Sequence, residues 1–399
     1  MADRLTVLVA ARDEERSIGT TVAALRSAFA EAEVLVADDG SRDATADAAE
    51  RAGARVVRLP RLGKGQALTL AEREAGPGPL LLCDADLEGE LGPLVEDGAD
   101  LAVAAFRERQ GGGLGIAKRA ARELIQLCSG YEAREPLSGQ RALSPAARAA
   151  CFPLAPGFGC EVRMTIDAVR AGLRVEELEL PLRHRATGRD LGGFLHRGRQ
   201  LLDAVLACGP TATNHRGLRL PLVGWIFAAR EPVVTAIGLA DDLLAGPERG
   251  VRTHLRAGLT TGTLKAVAIP LYGLARTRSV SGALLVGLAA NFLNQLDTRP
   301  GRALKAYLAV APLVRAPLVP AVLVAPYDLR EMTMLGDAGS NALGAVLGLH
   351  SVRRFSGPRR LGAIGALALL TVLADRRSLG ELIESTPGLR ALDALGRHP

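Results

Sequence analysis

Residues 33–45, EVLVADDGSRDAT, contain the feature that most limits what this chain can fold into: an apolar run that ends abruptly in two carboxylates and a turn. Residues 34–37 have the length of a buried strand, and Asp38, Asp39 and the Gly-Ser pair after them end it. A strand that delivers carboxylates to its C-terminal end, just before a helix, places them where open α/β sheets bind ligands. The first part of the chain is therefore expected to build a sheet around this edge.

Other apolar runs of strand length also end in polar residues, at positions 5–10, 55–59 and 80–83. A helix-like stretch at residues 17–30 separates the first of these runs from residues 33–45. Strands that alternate with helical segments predict an α/β domain with a mostly parallel sheet and helices on both faces. Farther on, the patterns predict a helix at residues 162–171 and an edge strand at residues 175–180.

This topology brings polar strand ends together. They are residues 12–15, Asp38-Asp39 and Asp84-Ala85-Asp86, with Gly63-Lys64-Gly65 on a loop before the last of them. Carboxylates two residues apart at a strand end can bind a divalent ion, and such an ion can bridge a diphosphate. Lys64 offers a cation where glycines let the backbone approach closely. Each motif taken alone is also ordinary turn chemistry, so a purely structural interpretation stays open for any one of them.

The motifs VLVAARDEERSIGTTVAAL, VLVADDGSRDAT, LGKGQAL and LLCDADLEG occur in this order, and with them residues 5–205 resemble the family 2 glycosyltransferases. The resemblance implies a GT-A (Rossmann-like) fold and a nucleotide-sugar donor. By the same resemblance the donor contacts are Arg12, Glu14, Asp39, Lys64 and Asp84, and a DxD motif, Asp84 and Asp86, holds Mg²⁺ or Mn²⁺. In enzymes of this family a histidine after the last strand joins the metal, so His184 is the expected third ligand; a solvated histidine in a basic loop is the alternative.

Glu161, in the stretch GFGCEV, opens the second predicted helix and has two interpretations. It can be a general base that deprotonates an acceptor hydroxyl, provided that its pKa suits the task. It can equally be a carboxylate that the helix dipole favours.

The second half of the chain is far more apolar, because most charged residues fall before about residue 215. Apolar stretches cover residues 218–240, 262–275, 279–296, 303–326, 340–350 and 361–374. The first and fourth reach the ~20 residues that a helix needs to cross a bilayer. We therefore expect a GT-A domain at residues 1–210 and an all-α membrane domain at residues 211–399. The protein would be multi-pass in the cell membrane with its glycosyltransferase domain cytoplasmic, as basic pairs such as Arg353-Arg354 favour. A wholly soluble helical domain is the alternative.

Acidic residues interrupt the apolar half at Asp241-Asp242, Asp297 and Asp337. Ionisable groups are energetically unfavourable in membrane helices, so those that occur there are candidates for a functional role. The stretches IGLADDLLAG, NFLNQLDTRPGRA and MLGDAGSNALG resemble motifs of the polyprenyl-phosphate phospho-N-acetylhexosamine transferases, which are Mg²⁺-dependent membrane enzymes. By this resemblance the second site is lined by Asp241, Asp242, Asn294, Asp297 and Asp337, with residues 214–217 at its opening. Helix-end carboxylates with loop partners are the alternative interpretation.

The resemblance of the second half is incomplete. Pro300 stands where the family pattern has an acidic residue, and no His-rich run follows Asp337. Asp337 also reaches the same face as Asp241 only if residues 303–326 do not cross as one helix. The residues Pro312, Arg315, Pro317 and Pro320 favour a break there.

Composition excludes other classes of protein. With a net charge of +6 and 3% aromatic residues, the chain lacks the stacking platforms of a single-strand nucleic-acid binder, so no nucleic-acid partner is expected. The five cysteines form no CxxC pair, which indicates neither a disulfide framework nor a zinc site, and no signal peptide is expected at residues 1–10.

The sequence thus predicts a glycosyltransferase that moves a sugar from a nucleotide-sugar donor to a polyprenyl-phosphate or lipid-linked acceptor. Two alternatives remain. One is a bifunctional protein whose second half is a phosphosugar transferase, and the other is a non-catalytic binding or scaffold protein.

Overall fold

The computed structural model of the chain describes residues 4–106, 116–182, 201–214, 216–244, 261–376 and 378–397. The chain divides into two compact units, Met1–Gly209 and Pro210–Pro399. The strands of the first unit are β1 Thr6–Ala11, β2 Glu33–Asp39, β3 Arg55–Leu59, β4 Leu80–Asp84, β5 Leu101–Phe106, β6 Arg141–Leu143 and β7 Val175–Leu180. Its helices are α1 Ile18–Ala28, α2 Thr45–Arg51, α3 Lys64–Glu72, α4 Gly92–Glu96, α5 Ile116–Ser129, α6 Pro145–Cys151, α7 Cys160–Arg170 and α8 at residues 201–208.

The seven strands form one sheet in the order β3-β2-β1-β4-β6-β5-β7. Strands β1 to β4 are parallel to one another, and β5 is parallel to β7. Only β6 among the described strands of this sheet is antiparallel, to both β4 and β5. The predicted mostly parallel sheet is confirmed, and β7 lies at the edge as expected.

The central strands are buried on both faces, as parallel strands covered by helices must be. Val7 and Val9 of β1 pack into one core together with Val36 of β2, while Leu8 and Leu35 pack into another core. All five side chains are 0% exposed. Full burial of each such side chain contributes about 1.5–3 kcal/mol, so the strands are held firmly and their C-terminal ends have defined positions.

The second unit is mainly helical. Its elements are β8 Thr211–Thr213, β9 Arg219–Pro221, α9 Pro232–Leu244, α10 Thr261–Thr277, α11 Val280–Leu296, α12 Arg302–Val314, α13 Val319–Asp328, α14 Gly336–Arg354, α15 Gly357–Arg376, α16 Leu379–Ser385 and α17 Pro387–Ala394. The expectation of an all-α unit is wrong in one respect, because β8 and β9 pair as a short antiparallel hairpin.

The two stretches expected to be long enough to span a membrane are each interrupted. Residues 218–240 contain β9, a 3₁₀ turn at Gly224–Ala229 and the first part of α9. Residues 303–326 divide between α12 and α13 at Arg315, whose left-handed φ of 58° ends α12, so the predicted break is confirmed. Among the described residues one helical segment, Gly357–Ala374 within α15, is long and apolar enough to cross a membrane.

Helices α10, α11 and α14 pack closely because glycines face their neighbours. A Cβ on Gly287 of α11 would lie 2.6 Å from Pro270 Cγ of α10, and one on Gly344 of α14 would lie 2.4 Å from Ala289 O of α11. Such contacts leave no room for a larger residue. Helices α10 and α11 therefore form a helical hairpin, and α14 runs against it.

Candidate functional site

The loops after β1 and β2 are joined by reciprocal hydrogen bonds. The Asp13 backbone N–H donates to Ser41 Oγ (3.0 Å), and the Arg42 N–H donates to Asp13 Oδ1 (2.8 Å). The Glu14 N–H donates to Thr45 Oγ1 (2.8 Å). These bonds hold two polar strand ends side by side, as the topology predicts.

The adjacent carboxylates at the end of β2 have different tasks. Asp38 Oδ1 accepts from the Ser41 N–H (3.2 Å) and closes the turn, whereas Asp39 accepts from the backbone N–H groups of Leu62 (2.6 Å) and Gly63 (2.9 Å). Burial raises the pKa of Asp39 above its ordinary value, although these two N–H groups and the nearby Arg12 guanidinium act in the opposite direction. Asp39 thus ties the end of β2 to the loop that begins α3.

Lys64, the first residue of α3, bridges two carboxylates. Its Nζ lies 2.6 Å from Asp84 Oδ1, at the end of β4, and 2.7 Å from Glu161 Oε1, in the first turn of α7. Burial alone would lower the pKa of Lys64, but the two carboxylates outweigh it and keep the pKa well above the ordinary value. The ammonium is therefore charged, and it joins elements that are distant in sequence.

A segment that the sequence analysis missed completes this cluster. A Cβ on Gly139 would lie 2.4 Å from Asp84 Oδ2 and 2.6 Å from Lys64 Nζ, so a side chain here would have to displace this ion pair. Gln140 Nε2 donates to Asp84 Oδ2 (3.2 Å). Beneath them the fully buried Arg141 donates to Ser138 O (2.8 Å), Thr165 Oγ1 (2.9 Å) and Pro136 O (3.2 Å).

The signal that could have located this segment is the run Pro-Leu-Ser-Gly-Gln, whose Pro, Ser and Gly are turn residues placed directly before a strand. The following strand β6 is only three residues long, which is too short to show a periodicity. The segment therefore read as an ordinary loop.

Two cysteines lie beside the cluster without serving as nucleophiles. Burial raises the pKa of Cys83 and of Cys160 well above the ordinary thiol value. Since the thiolate is the reactive form, both residues are inert packing groups. The chemistry at this sheet edge is left to carboxylates, the lysine and amides.

The structure brings most of the predicted donor-site residues to one edge of the sheet. Asp39, Lys64 and Asp84 are connected through the bonds described above, and Arg12 lies close enough to Asp39 to act on its charge. Glu14 accepts from Ser17 Oγ (2.7 Å) at the start of α1. Asp86 is half-buried two residues beyond Asp84, and His184 lies outside the described residues.

The metal-ligand atoms at this edge fit a divalent cation only in part. Asp84 and Asp86 supply oxygen ligands, which hard cations such as Mg²⁺ and Mn²⁺ prefer. Within the described residues, however, no group of three or more His, Cys, Asp or Glu side chains converges on one point. Lys64 and Gln140 already contact the Asp84 oxygens, so a cation would have to share that carboxylate with them.

The second unit contains a separate acidic cluster around Lys265 of α10. Lys265 Nζ lies 2.5 Å from Asp241 Oδ2 of α9 and 2.5 Å from Asp337 Oδ2 at the start of α14. Asp242 accepts from the backbone N–H groups of Asp337 (2.8 Å) and Ala338 (2.9 Å). Asp242 therefore caps the N-terminus of α14.

Asn294 and Asp297 from the end of α11 complete the acidic cluster. With its amide oriented to satisfy its neighbours, Asn294 donates to Asp337 Oδ1 (2.5 Å) and accepts from Lys265 Nζ (3.1 Å). Asp297 is 8% exposed and accepts from the Gly336 N–H, while its Oδ1 has no partner. The structure thus brings together all of the acidic residues that were predicted to share this site.

Other residues expected near this cluster have structural roles or cannot be located. Asn214 Oδ1 accepts from the Arg216 N–H (2.9 Å) and the Leu218 N–H (2.9 Å), and so forms the turn between β8 and β9. Arg299 pairs with Glu331 (2.8 Å). The cations Arg249, Arg252, His254 and Arg256 of the second unit lie outside the described residues, as do Arg183, Arg185 and Arg189 of the first unit.

The family profile for glycosyl transferase family 2 matches residues 6–134. Glucosyl-3-phosphoglycerate synthase from Mycolicibacterium paratuberculosis is 30% identical, and the match covers 51% of this chain and 72% of that protein. The chain therefore belongs to the family 2 glycosyltransferases. The predicted resemblance to this family is confirmed, and the profile match lies within the first unit.

Two more relatives show the range of the similarity. Glycosyltransferase AglJ of Haloferax volcanii is 28% identical over 47% of this chain and 66% of its own length, which is just under two thirds. A solved structure of glucosyl-3-phosphoglycerate synthase from Mycobacterium tuberculosis is 26% identical with a TM-score of 0.43, and the match covers 52% of this chain and 79% of that chain. That synthase structure contains Mg²⁺ and uridine diphosphate, and another contains Mn²⁺, uridine diphosphate and phosphoglyceric acid.

Proposed function

We propose that the first unit transfers a sugar from a nucleotide-sugar donor in the presence of Mg²⁺ or Mn²⁺. The observation that carries this proposal is the chain of contacts along the sheet edge. Asp39 binds the Gly63 N–H, and the next residue, Lys64, bridges Asp84 and Glu161. Acceptors for a nucleoside, a cation for a diphosphate and carboxylates for a metal therefore stand in sequence along one edge. Family membership and the uridine diphosphate bound by the M. tuberculosis synthase support the same donor class.

The residues of this edge have distinct tasks in the proposed reaction. Asp84 and Asp86 would hold the divalent ion together with His184, which lies outside the described residues, and the charge of the ion would stabilise the departing diphosphate. Lys64 can hydrogen-bond the same diphosphate, because an ammonium has three donors and two are directed at carboxylates. Glu161 would then be released from Lys64 to accept the proton of the acceptor hydroxyl, which is the general-base interpretation of this residue.

We also propose that the acceptor is a lipid-linked molecule, such as a polyprenyl phosphate, and that the second unit lies in the cell membrane with the first unit on the cytoplasmic side. Exposed aliphatic side chains on the helices of the second unit support a lipid environment. Leu264, Val267 and Leu271 of α10 are 58–59% exposed, and Leu361 and Leu369 of α15 are at least 60% exposed. Exposed apolar surface of this extent is unfavourable in water.

A second candidate function is phosphosugar transfer by the second unit, which would make the protein bifunctional. The observation that favours it is that Lys265 contacts both Asp241 and Asp337 near the first turn of α14, with the charge of Asp297 close to that of Asp337. Burying several carboxylates around one ammonium has a desolvation cost, so the presence of such a cluster favours a functional role. Carboxylate oxygens are the ligands that Mg²⁺ prefers, but within the described residues no group of three or more His, Cys, Asp or Glu side chains could hold a metal ion, and Asp242 is committed to capping α14.

The proposed donor reaction can be tested with Asp86→Asn in the full chain. Purified protein would be screened against UDP- and GDP-sugars, with and without polyprenyl phosphate, in Mg²⁺ or Mn²⁺. Asp86→Asn is expected to abolish turnover, whereas the control Asp47→Asn, at an exposed ion pair on α2, is expected to retain it. Turnover that survives Asp86→Asn would refute the donor site. A complete absence of turnover in the unaltered protein would favour a binding or scaffold role.

The phosphosugar activity can be tested with Asp337→Asn. If the second unit is a transferase, release of UMP from UDP-sugars in the presence of polyprenyl phosphate should be lost. Unchanged UMP release would show that these carboxylates do not perform that reaction. The first unit releases UDP rather than UMP in the proposed sugar transfer, so the two products distinguish the two sites.

A further inference from the structure

In the first unit, the segment at residues 154–159 leads directly into the helix that carries Glu161. Glu161 is the second residue of α7, and its Oε1 lies 2.7 Å from Lys64 Nζ. The conformation of this segment, the pre-α7 segment, therefore sets where the proposed general base lies. None of the donor contacts or metal ligands named above belongs to it.

Helix α3 supports one side of the pre-α7 segment. The Leu154 backbone N–H donates to Thr69 Oγ1 (2.9 Å). A Cβ on Gly65 would lie 1.9 Å from Ala155 O, so this carbonyl rests directly on the backbone of α3. The first turn of α3 also carries Lys64. The segment is thereby tied to the helix whose lysine contacts the proposed general base.

Helix α8 supports the other side of the pre-α7 segment through Asp203. The Phe158 backbone N–H donates to Asp203 Oδ2 (3.1 Å). Gly157 has a left-handed φ of 60°, and a Cβ on it would lie 2.2 Å from the same oxygen. A Cβ on Gly159 would lie 2.4 Å from the backbone oxygen of Asp203. Asp203 thus packs against three consecutive residues of the segment, and the two glycines leave the room for it.

The position of α8 is itself fixed by contacts with α7. Ala204 is 1% exposed and belongs to the same hydrophobic core as Val162 of α7. Arg163 of α7 donates to Ala207 O (2.9 Å), near the end of α8. Because α8 is held at its buried face and near its C-terminal end, it presents the Asp203 carboxylate to the pre-α7 segment from a firm support.

We infer that Asp203 is a positioning residue for the sugar transfer. It holds the pre-α7 segment against α3 and so keeps the Glu161 carboxylate where it can reach the acceptor hydroxyl. The inference rests on the proposed function, in which Glu161 is the general base, and it assigns Asp203 no contact with donor, metal or acceptor. Such a support matters because a catalytic group misplaced by ~1 Å can lower a rate about 100-fold.

Two substitutions of Asp203 in the full chain test the inference, with UDP release from UDP-glucose in Mn²⁺ and polyprenyl phosphate as the assay. Asp203→Ala removes the acceptor of the Phe158 N–H and is expected to lower kcat about 10- to 100-fold, while the KM for UDP-glucose and the affinity for UDP change by less than about twofold. Asp203→Asn keeps a carbonyl oxygen for the same N–H and is expected to retain kcat within about threefold.

Asp100→Ala is the matched control. Asp100 Oδ2 also accepts from a backbone N–H, that of Arg174 (3.0 Å), but it stands at the start of β5, on the edge of the sheet opposite Asp84. Its replacement is expected to lower the melting temperature and to leave kcat unchanged.

A double-mutant cycle with Glu161→Gln separates positioning from a general loss of structure. If Asp203 acts through Glu161, Asp203→Ala should lower kcat no further once Glu161→Gln is present. Multiplied effects, an unchanged kcat in Asp203→Ala, or equal losses in Asp203→Ala and Asp203→Asn would each overturn the inference. Full kcat in Glu161→Gln would refute the general-base role on which the inference rests, whereas a defective Glu161→Gln beside a normal Asp203→Ala would refute the inference alone.

Hydrogen–deuterium exchange on the same samples measures the support of the pre-α7 segment without turnover. The Phe158 amide should exchange about tenfold faster in Asp203→Ala and at the original rate in Asp100→Ala, because only the first variant removes its acceptor. An unchanged exchange rate in Asp203→Ala would overturn the inference whatever the activity of the protein.

Discussion

Gly139→Ala should disable the proposed donor site with little change elsewhere. The added Cβ would lie 2.4 Å from Asp84 Oδ2 and 2.6 Å from Lys64 Nζ. Both distances are about 1 Å shorter than the ~3.5 Å at which non-bonded atoms are comfortable. Since the Lys64–Asp84 pair is itself only 2.6 Å long, the methyl group cannot fit without separating or displacing it.

The magnitude follows from the cost of overpacking. A methyl group forced into a packed site costs about 1–3 kcal/mol, which corresponds to a factor of roughly 5 to 150 in an equilibrium or rate. If the strain falls on the Lys64–Asp84 pair, that factor should be seen in the affinity for UDP with Mn²⁺, measured by isothermal titration calorimetry, and in kcat/KM. The melting temperature should fall by no more than a few degrees per kcal/mol.

Gly76→Ala is the matched control, because a Cβ there meets nothing within 4 Å. Its UDP affinity and melting temperature should equal those of the unaltered protein. Normal UDP affinity and turnover in Gly139→Ala would show that the Lys64–Asp84 pair is not part of the donor site. A loss of UDP affinity in both variants would mean that glycine replacement in general, rather than this contact, is responsible.

Further predictions concern the support of the site, its pH dependence and its metal. Arg141→Met leaves three buried acceptors without their donor, at about 1–3 kcal/mol each, and should lower both the melting temperature and kcat/KM. The control Arg148→Met removes hydrogen bonds to Gly76 O and Gly78 O, away from the site, and should lower the melting temperature alone. If Arg148→Met and Arg141→Met lowered kcat/KM equally, that result would count against a positioning role for Arg141. Burial raises the pKa of Asp39, so its contribution to stability is complete below the ordinary value of 3.8 and is lost as the pH rises through the raised pKa. Relative to Asp39→Asn, the unaltered protein should therefore lose stability over that pH interval in urea titrations followed by circular dichroism, and a difference that does not change with pH would contradict this. Finally, EDTA should abolish turnover of the nucleotide sugar, and Mg²⁺ or Mn²⁺ should restore it; full activity in EDTA would exclude a required divalent ion.

The parts of the fold that could be predicted are those in which local pattern and tertiary environment agree. β2 and β4 are apolar runs buried on both faces, and the Asp residues that end them are also the residues that face the site. Gly139 and Gln140 could not be located in the same way, because their importance depends on Asp84, more than 50 residues away in the sequence. No local periodicity reports such a contact.

In the second unit, hydropathy predicts longer apolar elements than the structure contains. Hydropathy alone joined residues 218–240 and 303–326 into long apolar stretches, but backbone conformation divides them, most clearly at Arg315 with its left-handed φ of 58°. Hydropathy averages over a window and is insensitive to one residue that turns the chain. The prolines around Arg315 nevertheless predict a break there, because proline lacks the backbone N–H that a helix interior needs.

The same arrangement occurs in both units: a lysine ammonium lies between two carboxylates from elements distant in sequence, Lys64 in the first unit and Lys265 in the second. Carboxylates gathered at the end of a strand or the start of a helix repel one another, and burial makes that repulsion stronger. A lysine compensates this charge within the protein and, because its stem is flexible, can move when another cation or a donor group arrives. Arginine would bind such carboxylates through a rigid fork and release them less readily. The choice of lysine in both units therefore suits clusters whose charge must be balanced before a ligand binds and made available afterwards.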